Sequence, residues 1–187
     1  MQRWMYRTAC ASALLFVSAA SPAAEEACDI WAWTLGTDVV EVHSGPGSDF
    51  PVIAELPAPV EINGDRFAPE VTVTGSQDGW FRIEDAIVIS YTSDDPDVVA
   101  FEGKGWVPGS SLGLLLNRIA LYVTPSADAD VVARLLNEEE GAGPDSFRVS
   151  RLHACKGDWV EVEGDLMGAE SRGWATGTCS NQVTTCP

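Results

Sequence analysis

Basic side chains are scarce in this chain: 11 lysines and arginines stand against 28 acidic residues in 187, and histidine occurs only as His43 and His153. A surface of that sign repels phosphate backbones and anionic lipid, which argues against nucleic acid and membrane surfaces as partners. After the first 23 residues no apolar run approaches the ~20 residues that a spanning helix needs. Cysteine is limited to five positions.

The N-terminus departs from this pattern. Arg3 and Arg7 precede an apolar run from Thr8 to Val17, and Ser21-Pro22-Ala23 follows ahead of Ala24, Glu25 and Glu26. These are the charged, apolar and small-residue parts of a secretory signal peptide, residues 1–23, with cleavage expected after Ala23 and a secreted or periplasmic product. The run is too short for a membrane anchor. Loss of Arg3 and Arg7 leaves nine basic residues against 28 acidic ones, a net charge of −19. That charge keeps an exported protein soluble, and a basic or neutral partner is compatible with it. Cys10 leaves with the leader, so Cys28, Cys155, Cys179 and Cys186 remain as disulfide candidates. Four cysteines in an exported chain point to two bridges with three possible pairings. Three of the four lie in or after the second half, so the bridges are expected to staple that half, with Cys28 tying the N-terminus to a neighbour in space.

An internal repeat sets the organisation. VHSGPGSDFPVIAEL, residues 42–56, recurs 79 positions on as LYVTPSADADVVARL, residues 121–135, with Pro46 on Pro125, Asp49 on Asp128, Val52 on Val131 and Leu56 on Leu135. The same shift carries Trp80 onto Trp159 and Glu84 onto Glu163, so a whole structural unit is duplicated. The division is residues 24–37 as an N-terminal extension, 38–116 as the first unit, 117–178 as the second and 179–187 as a cysteine-containing tail. Each unit reads as short alternating strands between turn formers, Gln77-Asp78-Gly79 and Lys156-Gly157-Asp158 among them. In the loop after His43, glycine is expected to supply positive φ. The spacing from Trp80 to Trp106 exceeds that from Trp159 to Trp174 by 11 residues, which lengthens one β-hairpin of the first unit. Leu112 to Leu116 lacks linker composition, so the two units are expected to pack together through it. The fold class is all-β, two small β-barrels in tandem.

The motifs VHSGPGSDFPVIAEL, DGWFRI at 78–83 and GKGWVPGSSL at 103–112 together resemble bacterial SH3-like (SH3b) domains in order and spacing, apart from the insertion. The second copy, with GDWVEV at 157–162 and RGWATG at 172–177, has lost both loop glycines. The resemblance implies two tandem SH3-like barrels, and binding rather than chemistry, since such modules commonly hold cell-wall hydrolases on peptidoglycan peptides. It implies a cell-wall peptide or an envelope protein as partner, and it is an analogy at the level of fold. An inhibitor or accessory subunit of a cell-wall hydrolase, or a hydrolase, is the alternative.

Candidate chemistry is sparse. His153 and Cys155 sit two apart on an expected strand and so on one face, but a nucleophile needs a free thiolate beside its base, and a disulfide accounts better for Cys155. The acidic runs around Asp94 and Asp95, Asp128 and Asp130, and Glu138 to Glu140 lack the ordered spacing of a calcium loop. No cofactor or metal is implied, and nothing sets the oligomeric state. Trp31 and Trp33 share one face of a strand and are expected to cover apolar surface. Trp80 and Trp159 recur in both copies, as framework would. The candidate ligand-binding residues are therefore those of the loop that differs between the copies, His43, Ser44, Gly45, Pro46, Gly47 and Phe50, with the aromatics Tyr91 and Phe101, which have no aromatic counterparts.

Overall fold

The computed structural model describes residues 24–62, 64–90, 96–183 and 186. The leader, Tyr91 and the Asp94-Asp95 tip of the insertion lie outside the described residues. The chain is all-β. In chain order the strands are β1 Glu26–Thr34, β2 Val40–His43, β3 Val52–Leu56, β4 Val60–Ile62, β5 Asp65–Phe67, β6 Glu70–Gln77, β7 Trp80–Val88 and β8 Val98–Pro108. They continue with β9 Leu112–Gly113, β10 Leu115–Leu116, β11 Ala120–Tyr122, β12 Val131–Arg134, β13 Arg148–Lys156, β14 Trp159–Leu166, β15 Ala169–Ala175 and β16 Thr178–Cys179.

The duplication is visible in the topology. The larger sheet runs β3-β2-β8-β7-β6-β1-β9 and the next β12-β11-β15-β14-β13, with β10-β16 and β4-β5 as two-stranded sheets beside them. Under the 79-residue shift β3, β2, β7 and β6 fall on β12, β11, β14 and β13, so the five-strand order is the same in both. The first sheet extends it by two strands. Its hairpin β7–β8 is the lengthened one, paired from Trp80↔Pro108 out to Val88↔Val98.

Residues 24–37 are not an appendage. β1 is hydrogen-bonded between β6 and β9, with Ile30 and Ala32 facing the core. Alternation along IWAWT then forces Trp31 and Trp33 to the opposite face. At its start β1 also reaches the second unit: Gly157 N–H donates to the Ala27 carbonyl at 2.8 Å, and Asp29 N–H to the Gly157 carbonyl at 2.8 Å.

That contact places a disulfide. The bridges are Cys28–Cys155 and Cys179–Cys186. Cys28 ties the N-terminus to a neighbour in space, joining β1 to β13 across the two units, while the bridge expected to staple the second unit lies within the tail, from Cys179 to Cys186. Two bridges fit a non-reducing, extracellular setting. The repeat explains the meeting point: Ser76 is the counterpart of Cys155, and the two touch, Cys155 N–H donating to Ser76 Oγ at 2.9 Å and Ser76 Oγ–H to the Cys155 carbonyl at 3.3 Å. A position of the first unit thus lies directly against its own equivalent in the second. The leucine run is buried beside it, Leu112, Leu114 and Leu116 being 0–1% exposed and continuous with the cores of both units. Gly109 is closely held there, since an added Cβ would lie 2.7 Å from the Phe81 ring and 2.9 Å from the Leu152 carbonyl carbon.

Strand β13 corrects an expectation. A register shift between Leu152 and Ala154 breaks its alternation. Leu152 and Cys155 both point inward and His153 outward, so His153 and Cys155 do not share a face. His153 Nε2 instead contacts Glu163 Oε2 at 2.7 Å.

Candidate ligand-binding surfaces

The loop joining β2 to β3 carries five of the eight residues expected from the sequence, and His43, the last residue of β2, stands at its base. Its backbone is closed by three hydrogen bonds: Ser44 N–H to the Pro51 carbonyl (2.9 Å), Gly47 N–H to the Gly45 carbonyl (3.0 Å) and Phe50 N–H to the Gly47 carbonyl (3.2 Å). The second copy repeats each at the shifted position. Val123 N–H reaches the Asp130 carbonyl (3.0 Å), Ser126 N–H the Thr124 carbonyl (2.8 Å) and Ala129 N–H the Ser126 carbonyl (3.1 Å). The two loops therefore share a backbone and differ in side chains.

The glycines follow from that difference. Neither Gly45 nor Gly47 has positive φ, so the conformational reason expected for them is incorrect. Gly45 is small because Phe50 lies on it, and Gly47 borders the same ring at ordinary contact distance. A Cβ at Gly45 would fall 2.7 Å from Phe50 Cγ, and one at Gly47 would fall 3.4 Å from Phe50 Cδ2. The second copy has Ala129 in place of Phe50, and Thr124 and Ser126 in place of the glycines. Without the ring, the space is not needed.

His43 is framework for this loop. It is 6% exposed, and because a carbonyl only accepts, its Nδ1–H donates to the Phe50 carbonyl at 2.9 Å. Its ring meets Trp80 edge-on, centroids 4.9 Å apart. Tyr122 and Trp159, the shifted counterparts, make the same contact at 5.5 Å. Trp106 and Trp174 complete the pattern, paired across strands with His43 and Tyr122. This aromatic set recurs at the base of the loop in both units.

Of the expected residues, then, the structure brings His43, Ser44, Gly45, Pro46, Gly47 and Phe50 together. Ser44 and Phe50 face solvent, Pro46 and Gly47 are partly covered, and Gly45 lies beneath the ring. Phe50 is 46% exposed and continues into Val52 and Ile53 on the edge strand β3, 45% and 50% exposed. Phe101 is elsewhere. It pairs with Ala86 on the long hairpin, five residues along β8 from Trp106, and is half-buried against the core.

Two carboxylates on the surface are held by a basic neighbour. The Lys104 ammonium beside Glu84 holds that carboxyl below its usual range. Arg148 does the same for Asp165, donating from Nε and Nη2 at 3.0 Å, with the Gly168 N–H as a second donor. Among the described residues no three or more His, Cys, Asp or Glu side chains are gathered as a metal site.

One surface was not singled out from the sequence. Trp31, expected to cover apolar surface, is 53% exposed and lines a groove of about 400 Å³ with Glu70, Thr72, Asp85, Ile87 and Ile89. The available signal was IWAWT itself: its other face, Ile30 and Ala32, already supplies the core. No family model matches this chain, and neither a curated protein nor a solved structure does.

Proposed function

We propose that this chain is an exported, non-enzymatic binding protein of the SH3b kind, whose first unit holds an extended peptide of the cell envelope at the loop from Ser44 to Phe50. One observation supports the reading above the others. Two loops with the same backbone hydrogen bonds differ by one exposed aromatic ring and by the glycine, Gly45, that makes room for it. Folding does not need the ring, since the second loop closes without it. A half-exposed ring beside the exposed β-branched pair of an edge strand suits a ligand that adds along that edge, with the aromatic as its side-chain anchor.

Cosedimentation with purified peptidoglycan, run beside a pull-down from periplasmic lysate, tests this. Retention on sacculi that falls when Phe50→Ala is introduced into the folded protein supports it. Capture of a single envelope protein without sacculus binding replaces it with an inhibitor or accessory subunit. Release of soluble muropeptides makes the protein a hydrolase.

A further inference from the structure

Three stretches of this chain have no counterpart across the repeat: β1 ahead of the first unit, the insertion in the long hairpin, and the tail after the second unit. The fold brings all three to one face. β1 contributes Trp31, the start of the insertion contributes Ile89 next to Asp85 and Ile87 of β7, and the tail contributes Ser180 and Asn181. The groove of about 400 Å³ along the hairpin continues past Trp31, Glu70 and Ile89 into a further 270 Å³ against the tail.

The tail wall is pre-formed. The Ala68 N–H donates to Gln182 Oε1 at 2.9 Å, and Gln182 Nε2 donates back to the Ala68 carbonyl at 3.0 Å, as a neighbouring strand would. The buried Glu70 carboxylate accepts from Ser180 Oγ at 2.5 Å and from Gln182 Nε2 at 3.2 Å. Cys179–Cys186 closes the tail into a loop. A pre-formed concave surface, mostly apolar with a few fixed polar groups, is the usual form of a binding groove.

Its chemistry selects the occupant. Among the described residues lining the two parts, Glu70 and Asp85 are acidic and none is basic. Glu70 is engaged by the tail. Asp85 is exposed and accepts the Gly103 N–H at 3.1 Å. An open indole beside a carboxylate, with isoleucines along the wall, matches a guanidinium on an aliphatic stem. The planar cation stacks on the ring, pairs with the carboxylate, and lays its methylenes on Ile87 and Ile89. An ammonium would do only part of this. The −19 charge expected for the mature chain would also draw a basic partner in.

We propose that the Trp31 groove binds an arginine-bearing extended segment of a partner protein. The site is separate from the Phe50 loop, since β1 and β3 stand five positions apart in the sheet. The probe is a fluorescein-labelled Gly-Ser-Arg-Ser-Arg-Ser-Gly peptide, with a control carrying citrulline for arginine, titrated by anisotropy against the disulfide-intact protein. The arginine peptide is expected to bind about tenfold tighter than its citrulline twin, and Trp31→Ala to weaken it about tenfold, as loss of a stacked, paired cation would. Asp85→Asn keeps the Gly103 bond and tolerates the φ of 55° at that position, so it removes only the charge, and is expected to cost about threefold. Phe50→Ala should leave this binding unchanged. Should Trp31→Ala fail to fold, Trp31→Phe and Asp85→Asn give the same reading. Equal binding of the two peptides, or binding unmoved by any groove substitution, overturns the proposal and reduces the effect to general charge attraction. Loss of binding in Phe50→Ala moves the site to the loop.

Discussion

Gly45→Ala isolates the device on which the functional reading depends. The added methyl cannot coexist with the Phe50 ring where it lies, since a Cβ there comes within 2.7 Å of Cγ. The backbone has no reason to yield, because Gly45 has an ordinary φ and the loop's hydrogen bonds recur in a copy with threonine at this position. The ring is what moves. Burying a phenylalanine side chain fully is worth about 1.5–3 kcal/mol, and Phe50 keeps nearly half its surface exposed, so displacing it should cost about 1 kcal/mol. Chemical denaturation of wild type, Gly45→Ala, Phe50→Ala and the double variant measures this as a cycle. Each single substitution should lose about 1 kcal/mol and the double little more than Phe50→Ala alone, because once the ring is gone the methyl meets nothing. Gly45→Ala should also lose ligand retention to the same degree as Phe50→Ala while staying folded. Strictly additive losses, or a Gly45→Ala protein that keeps its ligand, would refute the reasoning.

Other outcomes follow from the same structure. Replacing Cys28 and Cys155 by alanine opens a loop of 127 residues, and the chain-entropy relation gives a loss of about 5 kcal/mol; the Cys179/Cys186 pair, 7 apart, should cost about half that. Paired guanidinium unfolding curves check the difference, and equal losses would mean that the inter-unit bridge does not restrain the unfolded chain. Asp165 and Glu84 have folded-state pKa values below their unfolded ones, so their contribution is present above about pH 4 and disappears as pH falls through the lowered values. Asp165→Asn should therefore be less stable than wild type at pH 7, with the gap closing below about pH 4; a gap that widens in acid would reverse the assigned sign. Gly109→Ala should destabilise more than Gly45→Ala, since its Cβ would meet the Leu152 backbone of the other unit, which cannot swing aside.

Much of the architecture is legible in the residues because a duplicated sequence must fold twice. The shift that places Trp80 on Trp159 also places β7 on β14, and the extra spacing before Trp106 appears as extra length in one hairpin. Features that depend on distance along the chain are not legible this way. Nothing local in Cys28 or Cys155 says that they meet, because β1 must first cross to the β13–β14 turn. A one-residue register shift separates His153 from Cys155, and no composition signal marks it. Glycine is ambiguous for a different reason: the residue serves equally where φ is positive and where space is short. At Gly45 only the joint change of Gly45 and Phe50 between copies distinguishes the two. Trp31 was readable only in part. Its spacing from Trp33 gives the shared face, but whether the face is covered depends on where the insertion and the tail come to rest.

The central claim is that the first loop binds and the second, alike in backbone, does not. Backbone amide shifts followed by NMR while soluble peptidoglycan fragments are added to the intact protein test it directly, because the two loops report side by side in one sample. Saturable shifts at Ser44 to Phe50, with Val123 to Ala129 unmoved, are the result predicted. Shifts of equal size in both loops, or in the second alone, would contradict it.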